Sequence, residues 1–252
     1  MSMKTRSPAR IAAMLLAATM IGCGSTESNQ PAGGDAGSDS VGLAEESRHA
    51  PAESAPETAD KRTVLFVGTS LTAGLGLPQS QSFPLLIERR IEEAGLPFRV
   101  VNAGVSGETS AGALRRIDWL TRQPFDVVVL ETGANDMLRG IEPQATERNI
   151  QEIIDRLRRA KPDVVIVLAG MLALPNMGEA YAREFEAIYP RLAERNGLPF
   201  VPFLLEGVGG ERSLNQEDGI HPNAEGHRII AETVWRVLEP VLVAGGQGET
   251  GA

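Results

Sequence analysis

The sequence predicts an α/β protein with a five-stranded parallel sheet and helices on both faces. Two observations carry this. From Thr63 onward, short apolar runs alternate with longer amphipathic segments. The runs, such as Val64-Leu65-Phe66-Val67, are continuously apolar, as strands buried on both faces must be. Repeated βα units of this kind form layered sheets with right-handed crossovers. With 252 residues, 42% of them hydrophobic, the chain can build one sizeable domain. Aromatic residues make up only 4%, so the core is expected to consist of Val, Leu, Ile and Ala.

The elements follow in order. Lys4, Arg6 and Arg10 precede an uncharged apolar run, Ile11 to Ile21, which is too short to span a bilayer and reads as an export signal over residues 1–22. The run ends in Met20-Ile21-Gly22-Cys23, which resembles a bacterial lipobox, with Met20 where leucine is usual. In a lipobox the signal is cut before the cysteine and the cysteine is lipidated, so Cys23 is the expected membrane anchor. The expected location is therefore the periplasmic or cell-surface side of a membrane. Residues 24–62 are rich in Ser, Gly, Ala, Pro and Glu and cannot bury enough surface to fold. Residues 23–62 are read as the lipidated cysteine and a disordered linker with a flexible reach of roughly 35 Å.

A single folded domain is expected over residues 63–240, with a disordered tail over 241–252. Strands read at 64–67, 98–103, 126–131, 163–169 and 199–203, and helices at about 82–94, 109–121, 143–160, 178–196 and 222–238. Pro84 and Pro222 suit first helical turns, Gly95 and Gly197 suit helix ends, and Pro162 stops a helix at Lys161.

Charge and cysteine usage exclude several function classes. The net charge is −9, which argues against nucleic acid as a partner. One cysteine permits no disulfide framework within the chain. Outside His49 in the linker, the only histidines are His221 and His227, six residues apart, so no metal site is expected. His227 fits the exposed face of the last helix. No cofactor and no protein partner is implied.

The strand ends carry the chemistry, because open parallel sheets place ligands in the crevice outside the carboxyl ends of their strands. Strand one is followed by Gly68-Thr69-Ser70, strand two by Ser106-Gly107-Glu108, strand three by Gly133-Ala134-Asn135-Asp136, and strand five by Asp218-Gly219-Ile220-His221. A serine hydroxyl needs a base, imidazole is suited to accept and return its proton, and a carboxylate orients the imidazole. Backbone N–H groups of Ser70 and Gly107, with the Asn135 amide, would stabilise an oxyanion. Each residue also has a plain structural role open to it: Asn135 and Asp136 as turn caps, Asp218-Gly219 as a turn, His221 as a surface residue.

These blocks resemble the SGNH (GDSL) hydrolases, and within them the bacterial arylesterases and the periplasmic acyl-CoA thioesterase/lysophospholipase group. The resemblance spans about Thr63 to Pro240 and includes GTSLTAGLGL, NAGVSGETSAG, ETGANDMLRG and DGIHPNAEGH. It implies a three-layer α/β/α sandwich of the flavodoxin-like SGNH type. It also implies Ser70 as nucleophile, Asp218 and His221 as its partners, and Ser70, Gly107 and Asn135 as the oxyanion hole. Thr69 departs from the family, which has Asp there, and puts the hydrogen bonding of the serine loop in question. Thr72 stands where the nucleophile elbow of ordinary α/β-hydrolases has its second glycine.

The implied activity is hydrolysis of acyl or aryl esters, such as lysophospholipids, with thioesters as a further class. Leu75, Leu77, Met137, Met171 and Leu174 lie near the same edge and would suit an acyl chain. Two other readings remain open: an O-acetylesterase of polysaccharides, and a non-catalytic flavodoxin-like binding module. The second lacks aromatic stacking partners in the expected loops.

Overall fold

The computed structural model describes residues 61–246; the signal, Cys23, the linker up to residue 60 and residues 247–252 lie outside the described residues. Five strands form one parallel sheet: β1 (Arg62–Gly68), β2 (Phe98–Gly104), β3 (Val127–Glu131), β4 (Val165–Ala169) and β5 (Phe200–Val201). Their order is β2-β1-β3-β4-β5. The central β3 is buried along its whole length.

Among the described residues, eight α-helices lie between and after the strands. They are α1 (Ser70–Ala73), α2 (Phe83–Glu93), α3 (Ser110–Leu120), α4 (Ala134–Leu138), α5 (Pro143–Ala160), α6 (Glu179–Glu186), α7 (Ile188–Asn196) and α8 (Ala224–Gly246). Helix α2 packs on α8, while α3 packs on α5 and α5 on α7. The chain steps from β1 to β2 in one direction and then crosses back to β3, β4 and β5. This reversal makes the carboxyl ends of β1 and β3 the switch point, where such folds open a crevice.

Differences from the sequence reading trace to proline and to burial. The single helix expected over 178–196 is two, α6 and α7, meeting at Ala187. Pro190, in the first turn of α7, has no N–H for the Glu186 carbonyl, and its ring crowds that carbonyl. The strand expected over 199–203 pairs only at Phe200–Val201, because Pro199 and Pro202 flank it without donors. Pro222 lies outside the last helix, in an antiparallel bridge with Asn215. Asn223 caps that helix instead: its Oδ1 accepts from the N–H groups of Glu225 (3.0 Å) and Gly226 (3.1 Å).

Helix α8 continues through Pro240 to Gly246, eight residues past the helix end expected at about 238 and into the tail expected to be disordered over 241–252. Leu238 and Leu242 are both fully buried, and Arg62 donates to the Gly245 carbonyl at 2.8 Å, so packing holds the turns beyond the proline. The short helices α1 and α4 were not anticipated.

His227 is buried, not exposed as expected, with 1% of its surface accessible. Its Nδ1 accepts the Phe83 N–H at 3.2 Å, and its ring stacks on Phe83 with centroids 6.2 Å apart. The Phe83 N–H is one of the donors a helix start leaves without an intrahelical partner. A histidine on α8 thus satisfies the start of α2.

Burial holds the His227 imidazole neutral and pushes its pKa down from 6.5 to about 4. The unfolded chain therefore takes up the extra proton between those values, and stability is lost as pH falls through this window. Urea unfolding at pH 7 and pH 5 should show a larger acid loss for the wild type than for His227→Gln, approaching about 1.4 kcal/mol per pH unit from this group. Equal losses in the two proteins would show that His227 does not titrate on unfolding.

Candidate active site

The site is assembled on the ends of β1, β2 and β3. Ser70 opens α1, two residues past β1, and is 8% exposed. The turn rests on Glu131, the last residue of β3, which is 1% exposed. The Glu131 carboxyl accepts from the Thr69 N–H at 2.7 Å, the Thr69 hydroxyl at 3.0 and 3.1 Å, and the Thr72 hydroxyl at 2.8 Å. Burial pushes its pKa up, and these Thr69 and Thr72 hydrogen bonds oppose the rise. Gly68 is required here, since a Cβ would lie 2.6 Å from Glu131 Oε2. From the other side, Asn102 on β2 donates to the Thr72 carbonyl at 2.9 Å. The hydrogen bonding of the serine loop, which the departure at position 69 put in question, is supplied by Thr69, whose N–H and hydroxyl both donate to this buried acid.

His221 and Asp218 come from the loop before α8. Ser70 Oγ lies 3.0 Å from His221 Nε2, and His221 Nδ1 lies 2.6 Å from Asp218 Oδ2. An ionised carboxylate only accepts, so the imidazole proton sits on Nδ1 and the Nε2 lone pair faces the serine hydroxyl. Asp218 Oδ1 also accepts the backbone N–H groups of Ile220 (2.9 Å) and His221 (3.0 Å). The His221 N–H, then its side chain, then the Ile220 N–H hold the Asp218 pKa down to about 2, so it remains a carboxylate at neutral pH.

The opposite wall carries Gly107 and Asn135. Gly107 has φ +76°, a conformation that favours glycine. Asn135, in α4, donates one amide hydrogen to the Glu108 carbonyl at 3.0 Å, which fixes its rotamer and leaves the second hydrogen for the crevice. Among the described residues, neither the Ser70 nor the Gly107 N–H donates to a backbone acceptor outside the regular elements.

Asp136 fixes this wall from behind. It is fully buried and accepts from the Ser110 N–H (2.7 Å), the Ser110 hydroxyl (2.5 Å) and the Thr146 hydroxyl (3.2 Å). Among the described residues no group of three His, Cys, Asp or Glu side chains is placed to hold a metal ion.

The expected acyl-binding residues divide. Leu75 (43%) and Leu174 (38%) are exposed, and Leu77 is half-buried. Met137 and Met171, each 4% exposed, belong to the core instead. Met137 faces inward from α4, and its sulfur accepts the Leu174 N–H at 3.5 Å. Leu138 at the end of α4, and Val105, Leu172 and Ile220 on loops, are strongly exposed at this same edge.

Sequence reasoning missed Glu131, Asp136 and Gln216 as organisers of the site. Gln216 Nε2 donates to the carbonyls of Leu75 (2.7 Å) and Pro222 (3.0 Å), tying the histidine loop to the segment after α1. The signal for Glu131 was a lone acid closing an apolar strand; Gln216 had none.

Fold and site together define a class: a doubly wound α/β protein with a serine, histidine and aspartate aligned at its switch point. A match to the GDSL-like lipase/acylhydrolase family covers residues 66–229. The chain is 38% identical to esterase TesA of Pseudomonas aeruginosa over 187 residues, 74% of this chain and 92% of that protein. It is 35% identical to thioesterase 1/protease 1/lysophospholipase L1 of Escherichia coli K12 over 181 residues, covering 71% and 85% of the two chains. A crystal structure of TesA superposes with a TM-score of 0.68 at 38% identity, over 71% of this chain and 99% of the other. The chain belongs to the GDSL-like lipase/acylhydrolase family, also called SGNH hydrolases.

The Thr69–Glu131 contact predicts a pH signature. Thr69→Asp would set a second carboxyl against Glu131, and two adjacent acids cannot both ionise. The pair's folded pKa would be raised, giving stability that is present at low pH and lost as pH rises. In chemical denaturation, Thr69→Asp should be destabilised relative to wild type by about 1–3 kcal/mol more at pH 8 than at pH 5. An equal deficit at both pH values would show that residue 69 does not meet Glu131.

Proposed function

We propose that this chain is a serine-dependent carboxylic ester hydrolase acting on acyl or aryl esters. The observation that carries the proposal is the hydrogen-bonded line from Ser70 Oγ to His221 Nε2 at 3.0 Å and from His221 Nδ1 to Asp218 at 2.6 Å. Ser70 attacks the ester carbonyl while His221 takes its proton. The negative oxygen is held by the N–H groups of Ser70 and Gly107 and by Asn135. His221 returns the proton to the leaving oxygen, and water then hydrolyses the acyl-enzyme by the same route. Asp218 stabilises the imidazolium without changing its own charge. The exposed apolar residues at the mouth suit an acyl chain or aryl ring better than an acetylated sugar.

The export signal and Met20-Ile21-Gly22-Cys23 support a lipid-anchored protein outside the inner membrane. Acyl-CoA is cytosolic, so lysophospholipids and exogenous esters are the accessible substrates. Cys23→Ser should release the protein from the membrane fraction; retention there would overturn the anchor.

The deciding experiment compares p-nitrophenyl esters of increasing chain length, lysophospholipid and acetylated sugar. Ser70→Ala and His221→Ala should each remove nearly all turnover. Asn135→Ala should retain a remnant, with kcat lower by about 10²–10³. Turnover that survives Ser70→Ala, or no turnover of any ester by the folded wild type, would overturn the reading.

A further inference from the structure

Arg139 follows Leu138 at the end of α4 and reaches across to the oxyanion wall. Its Nη2 donates to the Gly107 carbonyl at 2.8 Å. Among the described residues, no carboxylate lies within ion-pair distance of its guanidinium. The acids that line the site are engaged elsewhere: Glu108 with Arg116, Asp136 with Ser110 and Thr146, and Asp218 with His221. The space between guanidinium and glycine is open, since a Cβ built on Gly107 would meet only Arg139 Nη2, at 3.9 Å. The exposed cation is thus hydrogen-bonded to Gly107, the residue whose N–H the ester-hydrolase reading assigns to the oxyanion. Its remaining N–H donors have no protein acceptor among the described residues.

We propose that Arg139 forms a subsite for a phosphate carried on the leaving group of the ester. The inference rests on the ester-hydrolase reading above and assigns a residue to selecting, among its esters, those whose leaving group is a small phosphorylated alcohol, such as the glycerophosphate of a lysophospholipid. A guanidinium recognises phosphate through paired, charge-assisted hydrogen bonds. Because Arg139 is tied to Gly107 itself, the phosphate must lie only a few bonds from the ester oxygen, as it does across a glycerol unit. A thioester of coenzyme A carries its phosphates at the far end of a long arm and does not meet this condition. In the reaction, the Ser70 Oγ–carbonyl carbon bond forms and the bond from that carbon to the glycerol oxygen breaks. The serine proton passes through His221 to the glycerol oxygen, and glycerophosphate leaves with its phosphate unchanged. The exposed Leu138, which precedes the arginine, supplies apolar surface for the acyl chain.

The test compares three decanoyl substrates in the full chain: 1-decanoylglycerol 3-phosphate, 1-decanoylglycerol and decanoyl-CoA. All give the same acyl-enzyme, so ratios of kcat/KM report the acylation step alone. In Arg139→Gln the phosphate-to-neutral ratio should fall at least about tenfold, and Arg139→Lys should recover part of it. The CoA-to-neutral ratio should change by less than the phosphate-to-neutral ratio. An unchanged phosphate-to-neutral ratio would mean that Arg139 only supports Gly107, and would overturn the subsite. A fall as large for decanoyl-CoA would overturn the requirement for a nearby phosphate. Neither result touches the hydrolase reading, which fails only if the wild type shows no Ser70-dependent turnover of the neutral ester.

Discussion

Beneath the nucleophile turn, the sheet buries a carboxyl group that has only hydroxyl and amide donors for company. Glu131 is satisfied by the Thr69 N–H, the Thr69 hydroxyl and the Thr72 hydroxyl, and among the described residues it has no ion-pair partner. An unsatisfied buried acid is costly, so the turn that supplies these donors is held in one conformation. That conformation sets both the Ser70 hydroxyl and the Ser70 N–H. Gly68 and Gly104 follow from the same constraint. The first leaves room for Glu131 and Thr72, and the second for the backbone of Ala73.

Asp136, five residues further along the chain, does the corresponding work on the other wall. It holds the start of α3 through Ser110, and α3 follows directly on the loop that carries Gly107 and Glu108. Asn135 sits between the two acids and is oriented by the Glu108 carbonyl. The short stretch from the end of β3 into α4 therefore supplies both buried anchors and Asn135, the amide proposed to hold the oxyanion. The crevice lies where the crossover direction reverses, so β1 and β3 are neighbours and bring Ser70 and Asn135 together, while the long segment between β5 and α8 carries Asp218 and His221 to them.

Much of this could be read directly from the residues. Val64 to Val67 and Pro143 to Ala160 were legible because local pattern and burial agree there. Asp218 and His221 were legible because the chemistry needs both, and their spacing lets one carboxylate bind the ring and two backbone N–H groups. His227 was not, because its partner Phe83 is on another helix 144 residues away. Pro240 misled because a proline normally ends a helix, while buried Leu242 carries this one onward. Met137 and Leu138 are adjacent and both apolar, yet one faces the core and one the solvent. Only the helix phase of α4, too short to show a period, decides between them.

The two sides of the crevice mouth are unequally braced. On one side Gln216 donates one hydrogen bond across to the Leu75 carbonyl and one to Pro222 within its own loop, joining the histidine loop to the segment after α1. On the other, the segment Leu172–Leu174 is held by a sulfur acceptor at 3.5 Å and a single contact of the Ala173 N–H with Glu186 at 3.2 Å. The mouth is thus a fixed jaw opposed by a compliant one. In the proposed reaction, adjustment to bulkier acyl groups would fall to the Leu172–Leu174 side, whose hydrogen bonds to Glu186 and Met137 do not involve Ser70, His221 or Asp218. A chain of this design can drift in substrate breadth through changes near Leu172–Leu174 without disturbing its proton transfer.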